Sequence, residues 1–326
     1  YLHDQSRFLV VAPKRSIFQS WIDDCKKFEC EELLEHITFT TYLSLGKNKI
    51  DYDCVYLDEM HSLLDSHLEW LDTYRGRILG LTGTPPKRGA KADIVYKYCP
   101  VKFTYTVDTA IDDKILNDYE IHVHTMPLDT RNTIKKESKK TGTWYTSEYK
   151  QYTFWNNKLQ NATSDKELRF LRIMRMKTLM SLPSKEAYTS KLMNNTDNKC
   201  IVFANTKEQA DKLCKYSYYS GNKKSEENLQ KFKDGTINSL SCVLQLNEGI
   251  NIPNLKEGII LHSYSNERKS NQRIGRLLRL NPDDTSIIHV LCYSNTIDET
   301  WVKEALSDLD QSKITWKNIN QLELEL

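Results

Sequence analysis

Two successive carboxylates, Asp58-Glu59, close the apolar run Cys54-Val55-Tyr56-Leu57 and are followed by Met60-His61. Such a pair at a strand end can hold a magnesium ion, largely through water, and can orient and deprotonate an attacking water. Far downstream, Gln272-Arg273-Ile274-Gly275-Arg276-Leu277-Leu278-Arg279 spaces three arginines three residues apart, so that on a helix they share a face. The planar guanidinium stays charged and grips phosphate bidentately. Gly275 removes a side chain where another backbone could come close. Together the two clusters suit phosphoryl transfer to water, one holding metal and nucleophile and the other neutralising the transferring group. Thr82-Gly83-Thr84-Pro85 lies between them, and its two hydroxyls can bridge the carboxylates to downstream groups, which suits coupling more than chemistry. The phosphate-cradling pattern G-x-x-x-x-G-K-[ST] occurs nowhere in the 326 residues. Plainer readings exist for each motif. Asp58-Glu59 alone reads equally as an acidic turn and His61 alone as a surface or satisfied core histidine, whereas a solvated basic face at 272–279 leaves Gln272 and Gly275 without a role.

The elements that would position these residues are short apolar runs alternating with helical patterns. Phe8-Leu9-Val10-Val11 precedes a helical stretch from Arg15 to Phe28, followed by the runs Ile37–Thr40, Cys54–Leu57 and Ile78–Leu81. A second set comprises Cys200–Phe203, Cys242–Leu244, Gly258–Leu261 and Ile287–Leu291. Strands of four or five residues separated by helices predict βαβ units and parallel sheets covered on both faces. In open sheets of this kind ligands sit beyond the carboxyl ends of the strands, where Asp58 and Thr82 fall.

Residues 106–198 differ in character. Tyr119-Glu120-Ile121-His122-Val123-His124 alternates like a half-exposed strand. A basic stretch from Arg131 to Lys140 precedes Trp144, Tyr145, Tyr149, Tyr152, Phe154 and Trp155, and a long helical pattern then carries Leu168, Leu171, Met174 and Leu179 with Arg169, Arg172 and Arg175 around it, ending at Pro183. Lys135, Lys136, Lys139 and Lys140 beside Trp144 and Tyr145 could join phosphate attraction to base stacking. The same residues read as a solvated loop followed by packing aromatics, and the arginine set as a solvated helix face. The tail from Gln311 is short and amphipathic, with a strand expected at Gln321–Leu326.

The chain is long enough for two domains with real cores. Its 46 Lys plus Arg against 44 Asp plus Glu leave a net charge of +2, which excludes a basic field over the whole molecule and confines any nucleic-acid affinity to local patches. No apolar stretch reaches the roughly 18 residues that span a bilayer. The eight cysteines include no C-x-x-C, and four of them lie in apolar runs, which predicts reduced core thiols in a reducing compartment. The opening Tyr1-Leu2-His3-Asp4 has no Met and no signal pattern, and reads as a start inside a domain.

Taken together, these motifs resemble superfamily 2 helicases and translocases, over nearly the whole chain from residue 7 apart from about 127–185. Val11-Ala12-Pro13-Lys14 resembles the first DNA-contact motif of that family, and Phe39–Leu45 the second contact motif of its DNA-translocating branch. Asp58-Glu59-Met60-His61 is similar to the Walker B box of DExH-type members. Ile201–Thr206 resembles the opening strand of the second domain, Leu246–Pro253 motif V, and 272–279 motif VI. The resemblance implies an α/β fold of two RecA-like domains with parallel sheets that close on ATP and Mg2+. Residues 1–108 would form an N-terminally truncated first domain, 109–310 the second, with a basic and aromatic helical insert at 127–185, and 311–326 a tail.

The resemblance also distributes roles. Asp58, Glu59, His61, Gln272, Arg276 and Arg279 would be catalytic, with Asp58 and Glu59 at the metal and Arg276 and Arg279 as arginine fingers. Gly249, Asn251 and Arg273 would bind the nucleotide, although the family usually carries Asp where Asn251 stands. Lys14, Thr41, Thr82, Thr84, Asn205 and Thr206 would contact nucleic acid. T-G-T-P combined with Q-R-I-G-R is similar to DNA-acting members: branch-remodelling phage helicases, repair translocases and restriction motor subunits. RNA-acting DEAD-box proteins more often carry S-A-T and H-R-I-G-R. The implied partner is single-stranded or branched duplex DNA, with replication, repair or restriction proteins alongside, no membrane, and the cytoplasm of a bacterial or phage-infected cell. Because the Walker A loop is absent, a non-catalytic helicase-like binding fragment stands beside the motor as an alternative.

Overall fold

Strand β1 (Phe8–Ala12) is buried along its whole length, as an apolar strand covered on both faces must be. The computed structural model that places it describes residues 6–87, 89–138, 142–243, 252–263 and 284–320. The chain divides into two compact units, the first formed by Tyr1–Tyr105 and the second beginning at Thr106.

In the first unit β1 leads into helix α1 (Ser16–Lys27), then β2 (Ile37–Thr41), β3 (Cys54–Asp58), α2 (Leu68–Thr73), β4 (Arg77–Leu81) and α3 (Ala90–Tyr98). The four strands are parallel in the order β2-β1-β3-β4. Strand order departs from chain order because each crossover returns over a face of the sheet, which is how βαβ units close. Leu9, Val11, Val55, Leu57, Trp70, Tyr74 and Val95 share one core, and because β1, β2, β3 and β4 run the same way, their carboxyl ends form a single edge. Among the described residues β4 is an outer strand, and Leu79 and Leu81 on it are exposed.

The second unit begins with α4 (Val107–Asp112) and β5 (Asp118–Met126), followed by an antiparallel hairpin of β6 (Ile134–Ser138) and β7 (Gly142–Thr146). Three helices come next, α5 (Glu148–Gln160), α6 (Asp165–Met180) and α7 (Pro183–Asn194). Then β8 (Cys200–Ala204), α8 (Lys207–Leu213), β9 (Ser217–Tyr218), α9 (Ser225–Lys233), β10 (Ser239–Val243), β11 (Glu257–Ile260) and β12 (Thr285–Tyr293) follow, with a helix over Ile297–Ala305 and a final strand β13 (Ile314–Asn318). The large sheet runs β13-β5-β12-β11-β8-β10-β9. Its faces are built by alternation: Ile201 and Phe203 join one core with Leu240, Ile288 and Val290, while Cys200 and Val202 join another with Ile259, Leu291 and Leu179. All eight cysteines are free thiols.

Strand β5 alternates over Tyr119–Val123 as expected, with Tyr119, Ile121 and Val123 buried, Glu120 exposed and His122 partly so, whereas its last residues, His124 to Met126, are all buried between the neighbouring strands β12 and β13. A histidine is tolerated there because His124 Nδ1 meets Tyr188 Oη at 3.0 Å and its Nε2 meets His289 Nδ1 at 2.9 Å. The segment at 127–185 is not wholly helical, since it opens with the β6–β7 hairpin, and Pro183 starts α7 at its first turn instead of ending α6. In the tail a strand lies at Ile314–Asn318, paired in parallel with β5, and the strand expected at 321–326 falls outside the described residues.

One buried ion pair locks α7 to the large sheet. Lys185, 0% exposed, donates from Nζ to Asp298 Oδ2 at 2.6 Å and to the carbonyls of Leu261 and Leu291, both at 2.9 Å. All three ammonium donors are thereby used, which is the condition for burying a lysine.

Candidate functional site

Asp58 is the last residue of β3, and its neighbour across the ladder is Leu81, the last residue of β4. The residues that follow each strand therefore emerge side by side at the carboxyl edge. Glu59 takes a left-handed backbone conformation, φ 49° and ψ 55°, at the mouth of a 3-10 turn over Met60–Ser62. A non-glycine residue is strained there, and such strain persists where the surroundings hold it. Here the side chains do the holding.

Thr82 Oγ1 donates to Glu59 Oε2 at 3.2 Å and accepts from the backbone N–H of Thr84 at 3.1 Å. His61 Nδ1 lies 2.9 Å from Thr82 Oγ1, 3.1 Å from Glu59 Oε2 and 3.4 Å from Thr84 Oγ1. One proton assignment satisfies the cluster: with hydrogen on His61 Nδ1, the carboxylate accepts from both the imidazole and the threonine hydroxyl. Glu59 is thus oriented by two donors on one oxygen. The adjacent turn is held closely beneath, because a Cβ on Gly80 would strike Met60 Sδ and lie 2.8 Å from Cys99 Sγ.

Asp58 is fixed differently. Trp21 Nε1 on α1 donates to Asp58 Oδ2 at 2.9 Å, and the Tyr42 hydroxyl donates to the Asp58 carbonyl at 2.9 Å. Burial, reinforced by the charge of Asp58, pushes the Tyr42 phenol far above its ordinary pKa, so it remains a donor. Sequence reasoning missed Trp21 as a positioning residue. It lies 37 positions from Asp58, and a lone tryptophan in an amphipathic helix carries no signal of that pairing.

The structure brings Glu59, His61, Thr82 and Thr84 into one cluster, with Asp58 immediately before it at the end of β3. Lys14, exposed just after β1, and Thr41, half-buried at the end of β2, stand on the same edge of that sheet. Asn205 and Thr206 belong to the second unit, at the carboxyl end of β8. Thr206 caps α8 by accepting from Gln209 N at 3.2 Å, and the Asn205 N–H donates to Gln209 Oε1 at 3.1 Å. Gly249, Asn251, Gln272, Arg273, Arg276 and Arg279 lie outside the described residues.

Among the described residues, no three His, Cys, Asp or Glu side chains converge as a metal cage. Magnesium does not need one, because it keeps several waters and takes one or two carboxylates together with phosphate oxygens. Asp58, with one oxygen engaged by Trp21, fits that role.

The model of the helicase conserved C-terminal domain matches residues 184–281. The chain carries a helicase C-terminal domain. It is a homologue of the DNA 3'-5' translocase XPB2 of Sulfurisphaera tokodaii, with 24% identity over 326 aligned positions that cover 87% of this chain and 71% of that protein. Among solved structures, the fragment of an HsdR subunit of a type I restriction enzyme from Vibrio vulnificus YJ016 superposes with a TM-score of 0.59 at 18% identity, over 98% of this chain. The helicase domain of Pyrococcus furiosus Hef gives 0.51 at 13% identity, over 92% of this chain and 89% of that one. The Type ISP restriction-modification enzyme LlaBIII bound to DNA gives 0.55 at 15% identity, over 98% of this chain and 27% of that one. These likenesses establish the α/β fold with parallel sheets of the RecA-like helicase kind. The helicase-like chain spans 58% of the HsdR fragment. No described helix is long and apolar enough to cross a membrane.

Proposed function

We propose that this chain is the motor portion of an ATP-driven DNA translocase or helicase serving replication, repair or recombination. The observation that carries the reading is the Glu59–His61–Thr82–Thr84 cluster at the carboxyl edge of β3 and β4, found in a chain with a helicase C-terminal domain. The name of its relative XPB2, a DNA 3'-5' translocase, favours DNA as the partner.

Magnesium bound with ATP would neutralise phosphate charge at Asp58. Glu59 would accept the proton of the attacking water, its carboxylate aimed by His61 Nδ1–H and the Thr82 hydroxyl. Those two residues also join β3 to the turn after β4, so a shift of the Thr82–Thr84 turn would be felt directly at Glu59, which is the coupling such a motor needs. Gln272, Arg276 and Arg279 would stabilise the transferring phosphoryl, Gly249, Asn251 and Arg273 would meet the nucleotide, and Lys14, Thr41, Asn205 and Thr206 would meet the DNA backbone. The same set would serve the motor subunit of a restriction enzyme.

Because no G-x-x-x-x-G-K-[ST] loop occurs in the 326 residues, the chain by itself is expected to hydrolyse ATP slowly or not at all. The test is ATP turnover with and without single-stranded DNA, for this chain and for one extended at its N-terminus by a phosphate-binding loop. The extended chain should show DNA-stimulated hydrolysis that Glu59→Gln abolishes while DNA binding persists. Turnover by the 326 residues that Glu59→Gln leaves untouched would refute the assignment. An extended chain that binds DNA but never hydrolyses ATP would establish a non-catalytic binding module in its place.

A further inference from the structure

Among the described residues the β6–β7 hairpin belongs to neither of the larger sheets and its strands pair only with each other. Two-stranded hairpins are marginal in water unless something packs on a face. This one exposes residues on both faces, including Trp144 at 42% and Tyr145 at 60%. Among the described residues neither ring contacts another aromatic ring.

The register gives those rings their neighbours. Lys136 is directly opposite Trp144, and Lys135 directly opposite Tyr145. Opposed residues in an antiparallel pair share a face, and successive residues alternate, so each face presents one aromatic ring beside one lysine. Glu137 answers Lys135 at 2.6 Å, and it is the sole carboxylate among residues 131–146 against five cations. A flat ring next to an ammonium is what a nucleotide meets when its base stacks and its phosphate is neutralised.

The hairpin is also firmly rooted. Glu148, buried just after β7, accepts from Asp129 N ahead of β6 at 3.0 Å, from Ser184 N on α7 at 2.9 Å and from Ser184 Oγ at 2.9 Å. Ser147 caps α5 through Lys150 N at 3.1 Å. Both ends of the hairpin are therefore tied to the second unit while its rings face outward.

We infer that the β6–β7 hairpin is a stacking contact for a single DNA strand, with Trp144 and Tyr145 as base platforms and Lys135 and Lys136 as phosphate contacts. The inference rests on the reading of the chain as DNA-acting and adds to it the strandedness and the residues of one contact. Stacking does not read sequence, so the contact is indifferent to base identity.

The test measures binding of a labelled 20-nucleotide dT strand by anisotropy over a salt series, for the full chain and its variants. Trp144→Ala/Tyr145→Ala should weaken binding by about thirtyfold or more and leave the salt slope unchanged. Trp144→Phe/Tyr145→Phe keeps the rings and should restore most of the affinity, which a merely structural role for the rings would not require. Lys135→Ala/Lys136→Ala should instead reduce the log–log slope by about 0.7 per residue. Blunt duplex of the same length should bind parent and ring variants alike. If the parent binds the strand and the Ala/Ala variant binds equally well, the hairpin contact is wrong although the DNA-acting reading survives. A parent that binds no DNA overturns both, and a loss confined to an RNA strand overturns the choice of DNA.

Discussion

Residue by residue, the acidic motif was legible and its supports were not. Asp58-Glu59 and the two threonines announce themselves by type and by position after apolar runs, whereas the Trp21 donor to Asp58 depends on a contact 37 positions away. The same holds for a buried polar chain that no spacing betrays. His289 Nε2 meets Glu257 Oε1 at 2.9 Å, His289 Nδ1 meets His124 Nε2 at 2.9 Å, and His124 Nδ1 meets the Tyr188 hydroxyl at 3.0 Å. Neutral imidazoles satisfy every link if Tyr188 donates to His124, His124 to His289 and His289 to Glu257. Burial first, with the neighbouring His289, Lys317 and His122 adding to it, lowers the His124 pKa to about 3. Unfolded, the imidazole titrates near its ordinary value of about 6.5. Between those values the unfolded chain binds the extra proton, so stability rises with pH across that window and falls as pH drops below about 6.5. The expected loss approaches about 1.4 kcal/mol per pH unit from this group alone. Urea unfolding of the parent and of His124→Phe between pH 7.5 and pH 5 checks it: the parent's pH dependence should be clearly the steeper. Equal slopes would place the titration elsewhere.

At the level of elements, strands with contiguous apolar runs were readable because burial on both faces leaves no room for polar alternation. β1 and β8 are the clearest cases, each buried end to end. β5 was legible over Tyr119–Val123, whereas the burial of His124 was not, because it depends on the pairing with His289. The hairpin was illegible because neither Ile-Lys-Lys-Glu-Ser nor Gly-Thr-Trp-Tyr-Thr has a face to bury. The position of α7 was equally hidden, since it depends on Lys185 reaching Asp298 from 113 residues away. That dependence can be measured. Lys185→Met removes the cation but leaves Asp298 at 2% exposure, with Tyr293 N–H at 2.9 Å as its remaining backbone donor, and strands the carbonyls of Leu261 and Leu291. Removing one partner of a buried pair typically costs about 3–5 kcal/mol. Chemical denaturation of Lys185→Met should show a loss of that order, and a loss below about 1 kcal/mol would mean that α7 is held without the ion pair, by its apolar contacts and the hydrogen bonds of Ser184 and Tyr188.

For the molecule as a whole, charge sets the terms on which the proposed DNA partner would be met. With 46 basic and 44 acidic side chains there is no broad positive field, so attraction must come from few, local contacts. The proposed contacts are of that kind: Lys14 and Thr41 at the edge of one sheet, Asn205 and Thr206 at the end of β8, and the lysines of the hairpin. Contacts to phosphate orient a protein on the strand without reading its sequence, which is what a translocating motor requires. Each neutralised phosphate adds about 0.7 to 0.9 to the salt slope, so a handful of them predicts a log–log slope of about −2 to −4 and a Kd of about 10⁻⁴ to 10⁻⁶ M. Titration of the chain with strands of unrelated sequence, from low to moderate salt, measures both quantities at once. Slope and affinity should not change with sequence. Binding that selects one sequence and resists salt would instead indicate base readout, and no translocation along arbitrary DNA could be built on such contacts.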